Sequence, residues 1–266
     1  MCGRYASSRR PEDLAELFDA RLEAGAELPP SWNVAPTDPV WAVLERPAPD
    51  DPARPVRQLR VLRWGLVPSW AKDPRGGARM INARVESVHE KPAYRKAFGK
   101  RRCLLPADGF YEWDQAEGLK GRAKQAYYLP RRRLGAGDGR AVRVLARPHP
   151  ARGRPAGWLT TCTVITTDAT DAAGRVHPRM PLVIPADSYR DWLDPRCQDA
   201  DGLRALLAVP ADGELEVRAV SAAVGSVRNN GPELIARWPS SGPSHRPAAG
   251  LAPNHSQQRA TCRQHG

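Results

Sequence analysis

A cysteine stands at the second position of the chain, in the opening Met1-Cys2-Gly3. Removal of the initiator methionine, which a small second residue permits, would leave Cys2 with a free amine beside its thiol. The two groups have reference pKa values of about 8 and about 8.5, so part of each is reactive near neutral pH. Such an amine can attack an aldehyde, and the thiolate can then close a thiazolidine ring. From position alone, a structural or idle cysteine is the commoner case.

Polar side chains alternate along the segment from Asn82 through Arg84 to Glu86. In a strand these three side chains would share one face. An amide there could orient a reacting group, and a guanidinium could hold a phosphate through two hydrogen bonds. A solvated strand face with a local ion pair explains the same spacing.

Two other segments offer acid–base groups. Glu112 lies between two aromatic residues, and desolvation by such neighbours raises a carboxyl pKa into the range that proton transfer needs. His177 precedes a proline and an arginine, and a rigidly held histidine can move a proton or stabilise an oxyanion. A surface glutamate beside core aromatics and a structural histidine remain the alternatives.

The segment RWGLVPSWAK at 63–72 interleaves aromatic and cationic side chains. Exposed Trp side chains stack on unpaired bases, and Arg and Lys neutralise phosphates. Trp64 and Trp70 are therefore candidates for a surface that binds single strands, although a half-buried strand would also account for either of them.

Many short strands and few helices must position these residues. Hydrophobic periodicity predicts helices at 11–24, 89–98, 187–192 and 201–208, and strands at 40–44, 59–66, 103–105, 110–113, 127–129, 158–167 and 217–220. This pattern predicts an α+β fold with a barrel-like, mostly antiparallel sheet and short flanking helices.

Two segments do not fit that pattern. Residues 130–157 contain eight arginines and one acid, and they are either a flexible insertion or sequence that does not encode native core. A pair of compensating reading-frame changes would produce such a segment, and a core strand would then be missing. Residues 236–266 are rich in Pro, Ser, Gln and Arg, and we expect a disordered tail.

Composition narrows the class of protein. No apolar run is long enough to span a membrane, and the first ten residues do not resemble a signal peptide, so we expect a cytoplasmic protein. The net charge of +12 suits a polyanionic partner, although arginine bias alone could produce it. The five cysteines lack metal-binding spacing, so we expect no metal.

In this order, the segments resemble the SRAP (SOS response-associated peptidase) family. The matching blocks are MCGRYA at 1–6, WNVAPT at 32–37, RWGLVPSWAKD at 63–73, INARVESVHEKPAYRKAFGKRRCLLPADGFYEW at 81–113, TCTVITTDA at 161–169, HPRMPLVI at 177–184 and VGSVRNNGPELI at 224–235. The resemblance implies one domain over residues 2–235.

The resemblance also implies an activity: a covalent thiazolidine crosslink to abasic sites in single-stranded DNA, which protects the lesion. It implies that Cys2, Glu112, His177 and Asn82 are the catalytic residues, and that the same machinery removes Met1. The implied DNA-binding residues are Arg84, Trp64, Trp70, Arg4 and Asn33.

We therefore expect an SRAP-type peptidase with lyase-like Schiff-base chemistry, acting as a monomer without metal or organic cofactor. Its partner would be abasic single-stranded DNA, and it would join the nucleoid when bound. The alternatives are a cysteine peptidase that acts on other proteins and a non-covalent single-strand binder.

Overall fold

The computed structural model describes residues 2–48, 51, 54–114, 124–130, 141–150, 158–207 and 215–238. The strands are β1 Tyr5–Ser7, β2 Arg21–Leu22, β3 Ser31–Val34, β4 Pro39–Pro47, β5 Pro55–Trp64, β6 Asn82–Arg84, β7 Arg102–Pro106, β8 Gly109–Trp113, β9 Ala126–Pro130, β10 Ala141–Pro150, β11 Trp158–Asp168, β12 Arg179–Pro181 and β13 Arg218–Val220. The helices are α1 Pro11–Leu17, α2 Arg95–Lys100, α3 Asp171–Gly174, α4 Tyr189–Leu193 and α5 Ala200–Ala205. Short 3-10 turns cover Pro74–Arg79, Ala186–Ser188, Ala222–Gly225 and Pro232–Ile235.

The strands form two sheets. The smaller sheet has the order β13-β9-β8-β1-β3, and the larger has the order β12-β11-β10-β7-β4-β5-β2, with β6 parallel to β11. Strand β11 also runs parallel to β5, but only over the pairs Thr161↔Arg63 and Cys162↔Trp64. Through this short contact the larger sheet curls back on itself, so the α+β class with a barrel-like, mostly antiparallel sheet is confirmed.

Alternation along the strands separates three apolar clusters. In β4, Trp41 and Val43 face the helices, whereas Val40, Ala42 and Leu44 face the smaller sheet. Both sides of β4 are buried, as expected for a central strand with an apolar layer on each face. The third cluster lies on the outer face of the smaller sheet, beneath the segment 224–235.

Two predicted helices are shorter or later than expected. Helix α1 ends at Leu17, and Asp19, with φ of 48°, turns the chain so that Arg21 and Leu22 pair with β5. Helix α2 begins at Arg95, six residues after the predicted start, because turns occupy the intervening residues. In both places a tertiary arrangement outweighs local periodicity.

The arginine-rich segment does contain a strand. Strand β10 pairs antiparallel with β7 from Ala141 and with β11 as far as Pro150, so the expectation of a missing core strand is wrong. The rest of that segment, 131–140 and 151–157, lies outside the described residues. Residues 236–238 of the predicted tail belong to the fold, because the Trp238 N–H donates to the Ala219 carbonyl at 2.9 Å. The rest of that prediction, 239–266, lies outside the described residues.

Candidate functional site

The predicted nucleophile lies at the buried end of the smaller sheet. Cys2 is 2% exposed and precedes β1, which pairs with β8 through Tyr5↔Phe110. Burial raises the pKa of the Cys2 thiol, and the charge of Glu112 raises it further. The resting thiol is therefore mostly protonated, and it needs a base before it can attack.

Strand β8 supplies that base. Glu112 faces the inside of the molecule, is 3% exposed and is close enough to Cys2 for their charges to interact. Burial raises the pKa of Glu112 to about 7. A carboxyl group with this pKa is divided between its two protonation states near neutrality, so it can both donate and accept a proton.

Asn82 ties the larger sheet to the nucleophile. Strand β6 holds it beside Val164 of β11, and its Nδ2 donates to the Cys2 carbonyl oxygen at 2.8 Å. Its Oδ1 is buried and accepts no hydrogen bond from the residues that the structure describes. A buried acceptor without a donor is costly, so Oδ1 is suited to receive a hydrogen bond from an amine or a bound substrate.

The backbone of Arg179 holds the ring of His177 through Nδ1. The Arg179 N–H lies 2.9 Å and the Arg179 carbonyl oxygen 3.0 Å from this nitrogen, so Nδ1 accepts from the first in one tautomer and donates to the second in the other. Burial lowers the pKa of His177 and so favours the neutral ring.

Arg179 is a site residue that the sequence prediction missed, although it stands two residues after His177. Its guanidinium donates to Glu86 Oε1 at 2.6 Å, to Asp168 Oδ1 at 2.7 Å and to the Thr166 carbonyl at 2.7 Å. Glu86, in the turn after β6, therefore pairs with Arg179, and Arg179 fixes the end of β11 beside the histidine.

The two candidate stacking tryptophans occupy different environments. Trp64 is 0% exposed, its Nε1 donates to the Ile81 carbonyl at 3.0 Å, and its ring meets Tyr5 edge-on. The prediction that Trp64 contacts DNA is therefore wrong, because the ring supports the residues next to Asn82 and Cys2 from inside. Trp70 is 59% exposed and remains a candidate for base stacking. Arg84 is also exposed.

Asn33 is likewise internal. It is 4% exposed, and its Nδ2 donates to the carbonyls of Val224, Ser226 and Asn229 while its Oδ1 accepts from Arg4. A side chain so enclosed cannot contact DNA, so that prediction is wrong. Arg4 also donates to the Val224 carbonyl at 2.8 Å, and its DNA contact stays a prediction.

The structure thus brings together the buried Cys2 thiol, the Asn82 amide that binds the Cys2 carbonyl, and the Glu112 carboxyl group, whose pKa lies near neutrality. His177 lies at the end of β11. This set can carry out nucleophilic addition with assisted proton transfer. None of the described helices is long and apolar enough to cross a membrane.

Comparison with known proteins agrees with this geometry. Residues 1–227 match the family model described as SOS response associated peptidase (SRAP). The abasic site processing protein YoqW of Bacillus subtilis (strain 168) is 36% identical over 237 residues, covering 88% of this chain and 99% of YoqW. The abasic site processing protein YedK of Escherichia coli (strain K12) is 30% identical over 244 residues, covering 88% and 99%.

Among solved structures, a protein from Bacteroides thetaiotaomicron superposes with a TM-score of 0.73 at 18% identity, covering 89% of this chain and all of that one. This likeness shows the fold. Because the family match spans most of the chain, with Cys2, Asn82, Glu112 and His177 inside it, this protein belongs to the SOS response associated peptidase family.

Proposed function

We propose that this protein processes abasic sites in single-stranded DNA through a covalent bond to Cys2. The observation that carries the proposal is the junction of Cys2, Asn82 and Glu112: an amide holds the Cys2 carbonyl at 2.8 Å beside a carboxyl group whose pKa is about 7. The relatives named as abasic site processing proteins support it.

The chemistry follows from the two groups of a processed Cys2. Its amine attacks the aldehyde carbon of the open abasic sugar, and the resulting carbinolamine loses water to give a Schiff base. The thiolate then adds to the imine carbon, and the nitrogen takes up a proton to complete the thiazolidine. The net reaction releases one water molecule and needs no oxidant, metal or cofactor.

Both steps require proton transfer. Glu112 is suited to protonate the leaving hydroxyl and then to accept the thiol proton, because its pKa of about 7 permits both roles. In the tautomer that accepts the Arg179 N–H at Nδ1, His177 can donate a hydrogen bond from Nε2 to the developing oxygen charge. Asn82 can orient the amine through its vacant Oδ1 acceptor.

Exposed cationic and aromatic residues would hold the DNA strand. Arg84 lies two residues beyond Asn82 on the same strand, where it can reach a phosphate beside the lesion. The exposed ring of Trp70 can stack on an unpaired base. The net charge of +12 favours encounter with a polyanion, and affinity should fall as salt rises.

The same groups would first free the amine by removing Met1, which is the peptidase activity we propose. The Cys2 thiol would attack the Met1 carbonyl carbon and lose its proton to Glu112, and the Met1–Cys2 amide bond would break as its nitrogen takes up a proton. Water would then hydrolyse the resulting thioester, which releases methionine and restores the thiol. We also propose that the protein acts in the cytoplasm as a monomer and joins the nucleoid on damaged DNA.

A denaturing gel with an abasic single-stranded oligonucleotide tests the proposal. We expect a shifted band that Cys2→Ala abolishes and that Cys197→Ser, a matched change at a half-exposed cysteine, leaves intact. Cys2→Ser, with Met1 removed by a methionine aminopeptidase, keeps the amine but not the thiol, so it should give a band only after reduction of the Schiff base with cyanoborohydride.

Two outcomes would replace the proposal. Binding in a native gel without any band that survives denaturation would indicate a non-covalent single-strand binder. Cleavage of a peptide library that requires Cys2, without crosslinking, would indicate a peptidase acting on other proteins. Mass spectrometry of the N-terminus accompanies the assay, because a retained Met1 blocks the amine.

A further inference from the structure

A polar groove lies on the outer face of the smaller sheet, across β8 from Glu112. It has a volume of about 710 Å³ and is lined by Trp113, Lys124, Ala222, Gly225, Ser226 and Asn229. Because side chains alternate along a strand, Glu112 points inward to Cys2 while Trp113 points outward into this groove. Its volume lies within the range of small-molecule sites.

The wall of the groove is fixed by residues near the start of the chain. Asn33 holds the loop 224–229 through hydrogen bonds to three of its carbonyls, as described above. The Arg4 guanidinium lies 5.9 Å from the centre of the Trp113 ring and also binds the Val224 carbonyl. These contacts give the groove a pre-formed shape, which reduces the entropy that a ligand must lose.

A second cavity of about 670 Å³ continues the groove, since both are lined by Ala223 and Asn229. Arg228, Arg237 and the Trp238 ring line this far part together with the carboxylate of Glu233, and Arg237 is paired with Glu216 at 3.0 Å. Trp238 is 53% exposed, although its backbone is anchored to β13. An exposed indole beside cations is the combination that binds unpaired nucleotides.

Lys124 connects the groove to the reacting groups. It lines the near part, and its charge adds to the burial that lowers the pKa of His177. Neither Lys124 nor Arg228 forms an ion pair with another residue in the part of the chain that the structure describes. Both cations therefore remain available to a polyanion that reaches the site.

We propose that this groove binds the nucleotides next to the abasic sugar on one side of the lesion, with phosphates at Lys124 and Arg228 and a base stacked on Trp238. The inference rests on the function proposed above, and it adds the path that the DNA strand follows on the protein surface. Cations exceed carboxylates along the groove, so a phosphate backbone fits it better than an acidic or neutral peptide.

The test measures the rate of crosslinking against DNA concentration for Lys124→Gln, Arg228→Gln and Trp238→Ala. We expect the half-saturating concentration to rise about fivefold or more for Trp238→Ala, the lower range for loss of one stacked base. Each lysine or arginine change should reduce the slope of log affinity against log salt by about 0.7. Lys100→Gln, an exposed charge at the end of α2, is the matched control and should change the slope by much less.

Oligonucleotides truncated on either side of the abasic site complete the experiment. Removing the nucleotides on one side should weaken binding to the wild-type protein, and Trp238→Ala should then bind that shorter oligonucleotide as well as the wild type does. Removing the nucleotides on the other side should leave the difference between wild type and Trp238→Ala unchanged. If all three variants behave like Lys100→Gln, the groove does not bind DNA, although crosslinking persists. If the wild-type protein forms no crosslink with any oligonucleotide, the proposed function itself fails.

Discussion

Replacing Glu112 with glutamine should change how the stability of the protein depends on pH. The folded protein raises the pKa of this carboxyl from its ordinary 4.5 to about 7, because the side chain is buried. The native state therefore binds the proton more tightly than the unfolded chain does. The stabilising contribution of the protonated carboxyl is fully present below pH 4.5 and is lost as pH rises through about 7.

The size of the effect follows from these two values. At about 1.36 kcal/mol per pH unit, the interval is worth about 3 kcal/mol in total, and about 2.5 kcal/mol of it falls between about pH 5 and about pH 8. Glutamine does not titrate, so Glu112→Gln lacks this loss. Other titrating groups, including His177, are present in both proteins and cancel in the difference.

Urea denaturation of the two proteins at several pH values between about 5 and 8 measures the difference. We expect the free energy of unfolding of Glu112→Gln to gain about 2.5 kcal/mol on the wild type across that interval. In parallel, the crosslinking rate of the variant should fall by about 10²- to 10⁴-fold and lose its inflection near neutral pH. A difference in unfolding free energy that stays constant with pH would refute the raised pKa, and with it the acid–base role.

Three further changes test the site. Asn82→Ala removes the hydrogen bond to Cys2 and should slow crosslinking by up to about tenfold, the value of one such bond, measured in single-turnover gels. Trp64→Ala should lower the free energy of unfolding by about 3–5 kcal/mol, measured by heat or urea, because the ring is fully buried. Trp70→Ala should change that free energy by no more than about 0.5 kcal/mol and should weaken DNA binding. Equal losses of stability in the two variants would contradict the different environments of the two rings. Arg84→Gln should lower the salt slope of DNA affinity by about 0.7, and an unchanged slope in binding titrations would exclude a phosphate contact.

The strands were more predictable than the contacts between them. Segments rich in Leu, Thr, Val or aromatic residues predicted β7, β8, β9 and β11 to within one or two residues, because alternation and β-propensity act locally. Trp64 and Trp70 could not be told apart, since both stand in one motif and only the folded sheet determines which ring is enclosed. The strand β10 was missed because its sequence lacks the apolar pattern of a central strand.

The structural roles of Asn33 and Arg4 could not be predicted, because their hydrogen-bond partners lie far away along the chain. Asn33 bonds to carbonyls more than 190 residues away, and no local pattern in the sequence indicates such a partner. The family resemblance implied that Asn33 contacts DNA, whereas the fold uses it to hold a loop. The sequence does show that Arg179 stands two residues after His177. It does not show that Arg179 pairs with Glu86 and Asp168.

The fastening of the loop 224–229 to Asn33 and Arg4 has a consequence for protein synthesis. The strand that follows Cys2 leaves the ribosome first, but the segment that covers the outer face of its sheet leaves among the last of the described residues. Contacts of such long sequence separation form late in folding. The nascent chain thus carries its nucleophile from the beginning and completes the surroundings of that nucleophile only when translation is nearly finished.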